Sequence, residues 1–102
     1  MRKPKHKEKE KVVIGIGWYR PEQWQLLREV SVDADELEET YAEWETGAAQ
    51  AFDNAKNPGV LILKVDVDVE ELLTWCHQQG VAVNANARAE FIAHKTQRRV
   101  VN

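Results

Sequence analysis

The sequence predicts an α/β fold, with α+β the neighbouring class, built on a small two-stranded parallel sheet with helices packed on it. Three observations carry this expectation. An apolar strand pattern runs straight into a helix pattern over 12–30, and a second does the same over 60–79. A further amphipathic helix follows each, giving the order β-α-α-β-α-α. The strands are separated by a helical crossover of about forty residues, long enough for a parallel, right-handed connection and too long for a hairpin.

In the first strand, Val12, Ile14, Ile16 and Trp18 alternate with Val13, Gly15, Gly17 and Tyr19, the period of two that puts alternate residues on opposite faces. Gly15 and Gly17 share a face and leave a shallow strip that a helix or another backbone can approach closely. Pro21 suits the first position of a short helix through Trp24, Leu27 and Val30, where a missing N–H costs nothing. The longest helix is expected from Asp33 and Asp35, with an aspartate cap, and with Leu37, Tyr41, Trp44, Ala48, Phe52 and Ala55 along one side. Gly47 within it marks a bend or a close helix crossing, and Asn57-Pro58-Gly59 ends it.

In the second strand Leu61, Leu63, Val65, Val67 and Val69 face one way and Ile62, Lys64, Asp66 and Asp68 the other. Asp68 caps the next helix, whose stripe is Leu72, Trp75 and Cys76 and whose stop is Gly80. A last helix starts near Asn84 or Asn86, buries Ala87, Phe91 and His94, and carries Lys95, Arg98 and Arg99 towards its negative end. Val100 to Asn102 form a frayed end or a short extra strand. So thin a sheet is expected to have helices on one face and open edges, or to be extended by a second copy.

With 102 residues, 43% of them hydrophobic and 30% charged, the chain makes one globular domain over 12–102. Residues 1–11 hold six cations against two acids, a net +4, so the remainder carries −7 of the total −3. Without an apolar residue between Met1 and Val12, this stretch reads as a solvated basic tail in preference to a nucleic-acid arm. The acidic body makes nucleic acid an unfavoured partner. No apolar run is long enough for a membrane span or a secretory signal. The single cysteine, Cys76, makes no internal disulfide, and a cytoplasmic location is the expectation.

The candidate site lies where ligands gather in parallel α/β units, beyond the carboxyl ends of the strands. Arg20 stands where a capping Ser, Asp or Asn is usual, a cation at the positive end of a helix, and calls for an anion. Asp66 or Asp68 can supply it within the chain, which is the favoured reading. A bound carboxylate or phosphate held by Tyr19 and Arg20 against Asp66, Asp68 or Arg88 is the alternative. Trp18 and Tyr19 face opposite sides, so one must leave the main core, and an aromatic beside glycines fits an interface anchor. The acids at 66, 68, 70 and 71 do not fit a calcium loop, because Glu71 stands at the glycine position and His77 at the final carboxylate. Capping explains them with fewer assumptions than magnesium, and no metal is expected. Cys76 and His77 are adjacent on a helix and point about 100° apart, which makes no dyad. Gly15-Ile16-Gly17 lacks the third glycine of a dinucleotide loop. No catalytic residue and no cofactor are expected.

The strings Trp18-Tyr-Arg-Pro-Glu-Gln-Trp24, Thr40-Tyr-Ala-Glu-Trp44, Val65-Asp-Val-Asp-Val69 with Leu72 and Trp75, and Ala87-Arg-Ala-Glu-Phe91 resemble those of small bacterial proteins of unassigned function, over about residues 12–97. The resemblance implies a bacterial cytoplasmic setting and no activity. Taken together, these readings lead to a non-enzymatic protein-interaction or accessory module whose partner is another protein or a second copy. The alternatives are a small-molecule or anion-binding protein, or a minor enzyme, at the Arg20 region, and a nucleic-acid binder using the basic tail.

Overall fold

A computed structural model describes residues 12–101; the basic tail lies outside them. The elements are β1 (Val12–Trp18), α1 (Trp24–Val30), α2 (Tyr41–Asn54), β2 (Val60–Asp66), α3 (Val69–Gln79) and α4 (Ala85–Val101), with single 3-10 turns at Pro21–Gln23 and Ala34–Glu36. β1 and β2 pair in parallel from Val12 opposite Val60 to Trp18 opposite Asp66. The expected class and element order therefore stand.

α4 lies on the face that carries the glycines, and the glycines are the reason it fits. A Cβ on Gly15 would overlap Thr96 Oγ1, and one on Gly17 would overlap Ile92 Cδ1. The neighbours at the same level on β2, Leu63 and Val65, supply the bulk that β1 omits. Val65, Val67, Val69, Leu72, Cys76, Ala87 and Phe91 are buried between the sheet, α3 and α4, and Tyr19, Trp24 and Leu27 join them from the β1–α1 side. Asp68 caps α3 by accepting from the backbone N–H groups of Glu70 and Glu71, and Gly80 ends it at φ 70°, as glycine does without steric cost.

Several expectations are corrected. Helices cover both faces of the sheet, since Trp18 on the other face meets Trp44 and Phe52 of α2 at centroid distances of 5.3 and 6.4 Å. The helix expected to be the longest starts at Tyr41 and not at Asp33, and at 14 residues it is shorter than the 17-residue α4. Thr40 and Glu43 form a capping box there, a stronger start than a lone aspartate because it satisfies two free donors at once. Upstream, Arg28 Nη1 donates to the carbonyls of Ala34, Leu37 and Glu38, and this holds the chain non-helical. Gly47 meets nothing within 4 Å, so no helix crosses there. The aromatic stripe on α2 exists but is only half-buried. At the C-terminus, α4 runs on through Val101 in place of a frayed end or strand, and His94 is exposed on it.

Candidate functional site

The strand C-terminal ends converge as parallel pairing requires, and Arg20 meets both aspartates. Its Nε and Nη2 donate to Asp66 Oδ1 and Oδ2 at 3.2 and 2.6 Å, with Asp68 Oδ2 at 4.0 Å from Nη1. Arg20 hydrogen bonding holds the Asp66 carboxyl below the ordinary aspartate range, and the same bond raises the guanidinium pKa. Asp68 is also lowered, chiefly by the hydrogen bond from Gln23 Nε2 and then by the α3 N–H groups it caps. Gln23 Oε1 accepts from Val69 N at 2.9 Å. Arg20 and Gln23 thus clamp the start of α1 to the start of α3, and the anion that Arg20 calls for is internal.

The other candidates lie elsewhere. Arg88 does not join Arg20. It is 8% exposed and forms a two-pronged pair with Asp33 at 2.9 and 2.8 Å, while Nη1 also donates to Ser31 Oγ at 3.1 Å. This pairing depresses the Asp33 carboxyl. Asp33 Oδ2 further accepts from Ala85 N at 3.1 Å, so the residue expected to cap the helix after it instead caps α4, far along the chain. Tyr19 is 7% exposed in the core, where burial raises its pKa. Its backbone carbonyl accepts from Tyr41 Oη. Trp18 is covered by Trp44 and Phe52, with Lys64 Nζ 4.2 Å from its ring centroid. Neither aromatic is an exposed anchor. Cys76 is buried, which pushes its thiol pKa up and works against nucleophilic use. Among the described residues no group of three or more His, Cys, Asp or Glu could hold a metal ion, and no helix is long and apolar enough to cross a membrane.

The feature that sequence reasoning missed is the difference between the sheet's two outer edges. On β2 two of the four outward carbonyls are occupied, those towards its C-terminal end: Arg99 Nη1 donates to Lys64 O at 2.8 Å, and Lys95 Nζ to Asp66 O at 3.3 Å while also pairing with Glu71. On β1 the ladder directs the backbone groups of the even-numbered residues towards β2, as the bonds Val12 N to Gly59 O and Val67 N to Trp18 O require. Val13, Gly15 and Gly17 therefore turn their N–H and C=O groups outwards, and among the described residues nothing pairs with them. Beside this edge runs a groove of about 550 Å³ between β1 and α4, floored by Val13, Gly15 and Ile92 and walled by Ala89, Ala93 and Val100. Its lining, completed by Thr96 and Gln97, contains no charged residue among the described residues. Val12 and Ile14, on the opposite face of the same strand, are 62% and 38% exposed. The sequence signal was present in Gly15 and Gly17 together with the small residues Ala89 and Ala93, but it needs the α4 packing to become an edge with a groove.

Comparison with protein-family models, with curated proteins and with solved structures finds no match to this chain.

Proposed function

We propose that the protein is a non-enzymatic interaction module that takes an extended segment of a partner protein along the outer edge of β1. The supporting observation is the row of unpaired backbone groups at Val13, Gly15 and Gly17 beside an uncharged groove. Strand addition draws affinity from main-chain hydrogen bonds and selectivity from pockets for alternate side chains, and this edge offers both. Among the described residues, the charged devices that protein sheets use to blunt their edges occur on β2 and not on β1. A bacterial cytoplasmic setting belongs to the same reading. The alternative, an anion held at Arg20, has the Asp66 carboxylate as its competitor.

A synthetic peptide of alternating valine and threonine serves as a probe in an NMR titration. Shifts concentrated at the amides of Val13, Gly15 and Gly17 and along Ala89 and Ala93 are the expected result. Shifts concentrated at Arg20 and Gln23, or none at the β1 edge, would overturn the reading.

A further inference from the structure

We infer that the occupant of the β1 edge is a second copy of this chain, whose β1 pairs antiparallel with the first about a twofold axis through Gly15, giving a continuous four-stranded sheet. The inference rests on the docking surface proposed above and adds the identity of what fills it.

Register is the first argument. A twofold at Gly15 sets Gly15 against its own copy and Val13 against the partner's Gly17. All three residues with outward N–H and C=O groups then fall at hydrogen-bonded positions, and about six inter-copy bonds form. A shift by two residues towards the C-terminus sets Val13 against the partner's Tyr19, whose carbonyl already accepts from Tyr41 Oη. On the opposite face the same register places Ile14 against the partner's Ile16 and Val12 against the partner's Trp18, which covers the side chains that are 62% and 38% exposed in the single chain. Apolar cross-strand pairs of this kind are the units that stabilise sheets. On the groove side, Ala89 and Ala93 keep the wall low enough for the partner's α4 to lie alongside.

Charge is the second argument, and it selects this occupant. Among the described residues the groove and β1 itself, Val-Val-Ile-Gly-Ile-Gly-Trp, are both uncharged, whereas β2 carries Lys64 and Asp66 and has the carbonyls of those two residues occupied. Antiparallel pairing also brings the start of one β1 beside the end of the other. The segment entering Val12 has a net charge of +4. The partner's sheet end holds Glu22, Asp66, Asp68, Glu70 and Glu71 against Arg20, Lys95 and Lys64, the last seated over the Trp18 ring. Each copy's net-positive sequence is thus joined to a strand that starts beside the net-negative end of the other, which favours assembly at low ionic strength.

Sedimentation of the full chain over a wide concentration range tests the inference. A monomer–dimer equilibrium that weakens with added salt is expected. Ala93→Arg, which puts a long cation into the groove from an exposed position, and Ile14→Lys on the other face should each raise the dissociation constant about tenfold or more, with circular dichroism unchanged. Ala49→Arg, on the exposed surface of α2, should leave it as it was. A dimer indifferent to both edge variants, or one that tightens with salt, overturns the inference. So does a strict monomer. If that monomer's Val13, Gly15 and Gly17 amides still respond to the valine-threonine peptide, self-pairing alone has failed; if they do not, the docking surface has failed with it.

Discussion

The two outer edges of this sheet face the same problem and meet it in opposite ways. β2 offers its outward carbonyls to Lys95 and Arg99, two cations projected from α4 around its edge. β1, covered on one face by the same helix, has no such guard among the described residues and presents glycine backbone beside a groove of small residues. The difference follows from how α4 is seated. Gly15 and Gly17 let the helix settle against β1, so Ile92 and Thr96 meet the strand directly, Lys95 and Arg99 reach past β2, and Ala89, Ala93 and Val100 are left flanking the β1 edge. One packing arrangement puts two cations on one edge and leaves small residues beside the other.

The largest expected effect comes from removing what anchors α4. Arg88→Met leaves Asp33 as a largely buried carboxylate without its cation, its partner then being the Ala85 N–H, and is expected to destabilise the fold by about 3 kcal/mol, measured by chemical denaturation. Adding Asp33→Leu should recover much of that loss, because the uncompensated charge is then gone. No recovery would show that the pair itself, and not the orphaned charge, holds α4 in place.

Exchanging the bulk between the strands comes next. Gly15→Ala should cost about 1–3 kcal/mol, the range for overpacking, because the added carbon overlaps Thr96 on a helix that cannot withdraw without losing Ile92. The double variant Gly15→Ala/Thr96→Ala should regain part of the loss. A neutral Gly15→Ala would mean that α4 sits less tightly on β1 than this account requires.

Acid offers a finer test. Asp33, Asp66 and Asp68 are all held below the ordinary aspartate pKa by their hydrogen bonds, led respectively by Arg88, Arg20 and Gln23. The unfolded chain then binds protons more readily than the folded one. The stability these groups contribute is present above about pH 4, the unfolded carboxylate value, and is lost as pH falls through their depressed folded values. Arg88→Met should flatten that acid limb more than Arg20→Ala, since the Asp33 pair is shielded from water and the Asp66 carboxylate is exposed.

The smallest effect on stability should come from the guards of β2. Lys95→Ala/Arg99→Ala is expected to cost about 1 kcal/mol or less, yet it should promote concentration-dependent scattering by exposing a second open edge. Scattering unchanged from the parent chain would argue that these cations do not protect β2.

Much of the architecture could be read from the chain because its signals are local. Alternating residues marked both strands, Asp68 and Gly80 bounded α3, and the crossover length between the strands set their parallel direction. That direction, with a cation at a helix start, brought Arg20 to Asp66 or Asp68, and the structure pairs it chiefly with Asp66. Other features depended on partners far away in sequence. Asp33 looks like a cap for the residues just after it, and only the fold brings it to Arg88 and Ala85. Trp18 looks like a free anchor until α2 lays Trp44 and Phe52 against it. The start of α2 was misplaced because Leu37 keeps helical spacing with Tyr41, while the Arg28 contacts that hold 34–38 out of the helix come from another element. The open edge was the least legible of all, since an unpaired backbone group leaves no mark in a sequence.

Amide hydrogen exchange along β1, followed as a function of protein concentration, addresses the central claim most directly. In dilute solution the account predicts slow exchange at Ile14 and Ile16, whose N–H groups point to β2, and fast exchange at Val13, Gly15 and Gly17, which become protected as copies associate. Fast exchange at those three positions at every concentration, or protection already complete in the dilute monomer, would contradict it.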